Sequence, residues 1–167
     1  MFREMRRKNQ VLSREESIAI LNLGTAGVLA VSGDNDYPYA VPISYVYHDN
    51  KIIFHSARSG HKIDAIKKNQ KVSFCVIDED QIIPEEYTTY FRSVIAFGKA
   101  HIIEDELERR TAMEVLTEKY SAQMPKEHKA AAIDKGIKAL CMIKLEIEHL
   151  SGKEAIKFVR AKQQKVD

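Results

Sequence analysis

No stretch of the 167-residue chain approaches the roughly 20 consecutive apolar residues that a membrane-spanning helix needs, so no membrane partner is expected. Cysteine is equally scarce. Cys75 and Cys141 are the only two, each inside an apolar strand-like segment, which argues against a disulfide scaffold or a cysteine metal cluster and for buried, reduced thiols. An excess of one charge is also lacking: 26 Lys plus Arg against 24 Asp plus Glu leaves a net charge of +2, too balanced to mark a nucleic-acid binder. Basic residues crowd the opening MFREMRRKNQ, yet the apolar run that a secretory signal places next is missing. Ser13-Arg14-Glu15-Glu16 follows instead, and a cytoplasmic location is the expectation.

Core-forming material is plentiful. Hydrophobic residues make up 44% and charged residues 30%, which suits a folded domain and not a disordered chain. The length fits a single domain over residues 1–167, since domains run about 100–200 residues. A basic arm of about residues 1–12 and a basic, apolar-poor tail of about residues 153–167 flank it. There is no internal repeat and no low-complexity segment.

Ser13 followed by Glu16 forms a capping box, and Ile18, Leu21 and Gly24 continue it as a short helix with a stop. Strands are predicted at 27–32, 37–47 and 51–56, separated by the turns Gly33-Asp34-Asn35-Asp36 and His48-Asp49-Asn50. Ile63 and Ile66 then mark a short amphipathic helix, and 71–77 returns to strand. Asp78 to Thr89, acidic and containing Pro84, reads as an exposed loop, followed by a long strand from Tyr90 to Ile103 in which Gly98 marks a bulge or bend. Asp105 with Glu108 opens a helix bearing Met113, Leu116 and Tyr120 on one face, and a further helix over 126–135 ends at Gly136. In the last strand Cys141, Ile143, Leu145 and Ile147 alternate with Met142, Lys144, Glu146 and Glu148, giving one face to a core and the other to water or a partner. The whole is mainly β (α+β): a six-stranded antiparallel barrel, closed or partly closed, with flanking helices.

Signatures of common chemistries are absent. The six histidines (His48, His55, His61, His101, His128 and His149) include no H-E-x-x-H and no zinc-like spacing, so no metal ligand is assigned. No G-x-S-x-G and no Cys and His pairing defends a nucleophile, and the pairs Glu15-Glu16 and Glu85-Glu86 read as solvated surface; no residue is assigned a catalytic role. Two segments differ. Phe54-His55-Ser56-Ala57-Arg58-Ser59-Gly60-His61-Lys62 gathers hydroxyl, imidazole, guanidinium and ammonium donors between a strand end and a helix start, which is either a phosphate cradle or an ordinary basic turn. Tyr37-Pro-Tyr-Ala-Val-Pro-Ile-Ser-Tyr45 carries two prolines that cannot donate to a ladder, as on an edge strand that offers its backbone to a flat heterocycle; Tyr39 and Tyr45 also read as packing residues.

Taken in order, Pro38 to Tyr45, Phe54 to Ala57 with Gly60-His61-Lys62, and Asn69-Gln70-Lys71-Val72-Ser73-Phe74 resemble the pyridoxamine 5'-phosphate oxidase-like flavin-binding split barrels. Arg92 to Ala100 and Ser151-Gly152-Lys153-Glu154 are similar to the nitroimidazole-resistance branch, and the likeness runs from about Ser13 to Lys157. The resemblance implies a split barrel acting as a homodimer, with FMN in a groove between subunits. It implies that His55, Ser56 and Lys62 contact the FMN phosphate with Ala57 and His61 nearby, and that Val41, Pro42, Ile43 and Ser44 lie along the isoalloxazine. Arg92 and Ser93 would approach the flavin from the strand Tyr90 to Ile103, in the partner subunit. True pyridoxamine-phosphate oxidases carry a C-terminal arginine- and tryptophan-containing signature, and this chain has no tryptophan, which implies another substrate. The function so implied is an FMN-dependent oxidoreductase passing electrons from NAD(P)H to a small acceptor such as a nitroaromatic. Split barrels of this kind also serve as non-catalytic flavin-binding sensors or electron carriers, and as haem or deazaflavin binders, so these readings stand beside it.

Overall fold

In the chain's structure, a computed structural model describing residues 1–164, the capping box closes in both directions. The Ser13 side chain accepts from the Glu16 amide and the Glu16 carboxylate accepts from the Ser13 amide, which opens helix α1 (Arg14–Leu23). Helix α2 is His61–Lys68, with Ile63 and Ile66 buried, and α3 is Glu106–Ser121, capped by the Asp105 carboxylate on the Glu108 amide. Helices α4 (Lys126–Gly136) and α5 (Ile156–Gln163) complete the set. Among the described residues no helix is long and apolar enough to cross a membrane.

The strands are β1 (Ala26–Ser32), β2 (Pro38–Ser44), β3 (Val46–His48), β4 (Lys51–Ala57), β5 (Lys71–Ile83), β6 (Thr88–Ile102) and β7 (Leu140–Glu154). They form one antiparallel sheet in the order β2-β1-β5-β6-β7-β4-β3. Its two outermost strands, β2 and β3, are joined through Tyr45 alone, so the sheet curls until its edges meet there without pairing. This is a split barrel. The expectation of six strands is corrected to seven, because the continuous pattern from Tyr37 to Tyr47 crosses from one edge of the sheet to the other at Tyr45.

The barrel is filled by inward-facing residues, including the fully buried Leu29, Phe54, Phe74, Val94, Ile143 and Leu145. A second cluster lies outside the sheet, where α3 and α4 supply Met113, Leu116 and Ile133 against Val46, Ile53 and Met142. The last strand is therefore not simply two-faced: Met142, on the face expected to meet water or a partner, is fully buried beneath the helices. At Gly98 the register shifts as a bulge, and the backbone runs so close to β7 that a Cβ there would lie 1.9 Å from the Glu146 carbonyl oxygen.

Another expectation changes. Within Asp78 to Thr89 only residues 84–87 form a turn; after a register shift between Ile77 and Glu79, β5 and β6 continue as a two-stranded extension from Glu79 opposite Arg92 to Ile83 opposite Thr88. Its polar composition resembles a loop because neither face enters the core, as the exposed Ile77 and Ile82 attest. The terminal segments are also ordered into the body. β7 runs through Lys153 to Glu154, Val11 bridges to Lys153, and the Lys162 ammonium of α5 meets Glu154 at 2.7 Å and Glu16 at 2.5 Å. Residues 165–167 of the expected tail lie outside the described residues. Cys75 and Cys141 are free but only half-buried, and burial pushes both thiols up.

Candidate functional site: a groove along the split of the barrel

Strand β2 pairs with β1 on one side only, so its other edge keeps backbone groups free of any ladder, and Pro42 has no amide hydrogen to offer there. Its alternation sends Tyr39, Val41 and Ile43 toward the core and leaves Ala40, Pro42 and Ser44 exposed. Across the split, β4 turns His55 outward and α2 brings Lys62. Val41, Pro42, Ile43, Ser44, His55 and Lys62 thereby line one groove of about 240 Å³. Two motifs separated in sequence meet at a single surface.

One end of the groove suits an anion. Ser56 is buried, and the Lys62 ammonium donates to its hydroxyl oxygen at 3.0 Å. Gly60 precedes α2 with φ 127°, a conformation natural to glycine, and a side chain added there would meet nothing within 4 Å. Its carbonyl takes the amides of Ile63 and Asp64, and no side chain caps the helix. The amides of His61 and Lys62 have no partner among the described residues, so the helix end presents donors and partial positive charge beside a full ammonium charge. The His61 ring stacks on Tyr39 with centroids 4.1 Å apart, and its Nε2 lies 3.7 Å from Asp34, tying α2 to β2. Ala57 is exposed at the end of β4, beside this cradle.

Arg92 and Ser93 are not part of the groove. Both sit on β6, two strands from β4 and three from β2, so the fold of one chain keeps them away. The Arg92 guanidinium is held by Asp78 at 2.5 Å and lies over the Phe158 ring at 5.2 Å, while Ser93 faces Ile77 and Lys153. Gly152 serves packing: a Cβ there would come within 2.3 Å of the Ser17 hydroxyl on α1. Residue spacing did not reveal Tyr120, read only as part of an apolar helix face, whose hydroxyl reaches the backbone of Tyr45 beside the groove.

A larger cavity lies elsewhere, about 660 Å³ on the outer face of the sheet, between Phe2 of the N-terminal arm and residues such as Ala30, Ser73 and Phe97. The groove is the better candidate despite its smaller volume. It joins an apolar wall, a free strand edge and a helix end with a buried hydroxyl, which together give a ligand both affinity and orientation.

A barrel split along one seam, with a free strand edge and an uncapped helix end converging on it, defines the class of the split-barrel folds. The chain matches the Pyridoxamine 5'-phosphate oxidase family over residues 13–154, nearly its whole length, and belongs to that family. It is 34% identical over 90 residues to an uncharacterized protein, RA0666, of Rhizobium meliloti (strain 1021), a match covering 54% of each chain; the alignment spans about half the length of that curated relative. Among solved structures it is similar to a provisionally named 5-nitroimidazole antibiotic resistance protein of Bacteroides thetaiotaomicron VPI-5482, with 20% identity, 86% of each chain covered and a TM-score of 0.72. It is also similar to an FAD-binding protein of Mesorhizobium loti, with 27% identity, 87% of this chain and 97% of the other covered, and a TM-score of 0.64.

Proposed function

We propose that the groove holds FMN and that the protein is an FMN-dependent oxidoreductase, taking electrons from NAD(P)H and delivering them to a small acceptor such as a nitroaromatic. The observation that carries this reading is the convergence of the β2 edge at Val41–Ser44 with His55 and the Ser56–Lys62 pair on one groove. When bound, the flavin supplies the redox chemistry, and the protein's part is binding, orientation and electrostatics. The amides at the start of α2, the Lys62 ammonium and the Ser56 hydroxyl would receive the phosphate. The β2 edge would give the ring backbone hydrogen bonds, while the side chains of Val41 and Ile43 remain rooted in the core and keep that wall stiff. One uncapped helix end with one adjacent ammonium suits a terminal phosphate, which favours FMN among flavins.

The homodimer belongs to the same proposal. A groove of about 240 Å³ falls below the about 300–1,000 Å³ usual for small-ligand pockets, so a second wall would complete it. The outer face of β1, β5 and β6 carries Val28, Ala30, Cys75, Ile95 and Phe97, half-buried in the single chain, a surface suited to an isologous contact. Arg92 and Ser93, remote from their own groove, would act in the partner's.

The test is an absorption spectrum of the purified protein, heat release of bound ligand and its identification by mass spectrometry. FMN at about one per chain, as two symmetric sites in a dimer require, is expected. A colourless protein that also fails to bind added FMN overturns the reading. Turnover of NAD(P)H with a nitro compound, above the rate of free FMN, separates the oxidoreductase from a flavin-binding sensor or carrier.

A further inference from the structure

We propose that Tyr120 is a positioning residue for the groove, its hydroxyl holding open the seam along which the barrel is split. The geometry stands by itself; the consequence for ligand binding rests on the flavin reading above.

Tyr45 is the sole link between the two edges of the sheet, and it is fully buried. At the crossing its backbone belongs to neither strand, so its amide and carbonyl lack ladder partners, and a buried backbone group left unpaired is costly. The Tyr120 hydroxyl, from the last turn of α3, fills that place. It accepts from the Tyr45 amide at 2.9 Å, and its proton goes to the Tyr45 carbonyl at 2.8 Å or to the nearby Thr25 carbonyl, one at a time.

The rest of Tyr45 is fixed as well. Its own hydroxyl donates to the Leu21 carbonyl at 2.9 Å, its ring meets Phe74 edge-on, and the Lys119 ammonium lies 4.5 Å above the ring centroid. Ser44, adjacent in the chain, and Ile43 before it therefore leave β2 at a set angle. An unpaired strand edge tends to recruit another strand, and Pro38 and Pro42 block that at two positions only. By occupying the backbone of Tyr45, Tyr120 keeps β2 from closing onto the opposite edge of the sheet and leaves its own edge available to a ligand.

The experiment compares the full-length wild type with Tyr120→Phe, which removes only the hydroxyl, and Leu116→Ala, which weakens the packing of α3 over Val46 and keeps the hydroxyl. Amide hydrogen exchange of flavin-free protein, FMN affinity and the thermal midpoint are measured for each. Tyr120→Phe is expected to raise exchange at Tyr45 and to weaken FMN binding, each by about tenfold, while the amides of β5 and β6 keep their rates. Leu116→Ala should lower the midpoint at least as far, without the selective change at Tyr45 and without the tenfold loss in affinity. Unchanged exchange at Tyr45 in Tyr120→Phe overturns the proposal, as does an equal loss of FMN affinity in Leu116→Ala. If the wild type binds no FMN, the flavin reading fails, and the exchange at Tyr45 alone decides whether the hydroxyl holds the seam.

Discussion

Replacing Lys62 by alanine probes the proposed phosphate end of the groove most directly. The ammonium sits 3.0 Å from the Ser56 hydroxyl, one residue inside the uncapped start of α2, where a phosphate would make a charge-assisted hydrogen bond to it. Such bonds contribute about 1.5–3 kcal/mol, and because Lys62 is only half-buried the lower end applies, corresponding to about a tenfold rise in the FMN dissociation constant. Quenching of flavin fluorescence on titration reads this change. Riboflavin, which lacks the phosphate, is the internal control: its affinity should be the same for wild type and Lys62→Ala. The FMN affinity of the variant should also fall less steeply with added salt, since one charge contact is missing. Equal loss for riboflavin and FMN would mean that the substitution disturbs the groove as a whole, and no loss for either would remove Lys62 from the site. Either result refutes the phosphate assignment.

Other substitutions test the framework. Gly98→Ala puts a Cβ against the immovable Glu146 carbonyl and should cost at least about 3 kcal/mol, lowering the thermal midpoint by about 6–12 °C; a shift under about 2 °C would show that the bulge relaxes freely. Ile95→Asp on the uncovered outer face should convert a two-chain sedimentation mass to that of one chain without unfolding the barrel, whereas an unchanged mass would exclude this face from any dimer contact. Glu16 links pH to stability: the Lys162 ammonium, followed by the Ser13 amide, holds its carboxyl below the usual 4.5. A carboxyl lowered in the folded state stabilises above its unfolded value, and that stabilisation is lost as pH falls through the folded one. The midpoint advantage of wild type over Glu16→Gln should accordingly shrink on acidification below about pH 4.5, from a solvent-screened difference under about 1 kcal/mol; a gap that widens in acid would contradict the pairing.

Much of this architecture was legible in local sequence because the responsible forces are local. Ser13 and Glu16 satisfy each other's amides within one turn, Asp105 caps toward Glu108, and the alternation of Ile143, Leu145 and Ile147 needs only the two-residue period of a strand. The candidate site was legible for a related reason: the prolines of β2 and the donor cluster from His55 to Lys62 are each compact. Their meeting in one groove was not contained in either segment. The extension beyond Ile77 was misread because paired backbone does not require buried side chains, and a two-stranded ribbon exposed on both faces has the composition of a loop.

By itself, the sequence determined a mainly antiparallel barrel with helices at its ends, together with the residue types able to receive a phosphate and a flat ring. Periodicity, capping and turn chemistry act over a few residues, so they survive in a linear reading. Tertiary structure alone decided that β2 and β3 are opposite edges joined at Tyr45, that α3 and α4 cover Met142, that Arg92 and Ser93 lie away from their own groove, and that a hydroxyl from α3 fills the gap in the ladder. Those choices depend on which distant segments satisfy one another's buried groups, and that is settled only when the sheet has curled and its two edges meet.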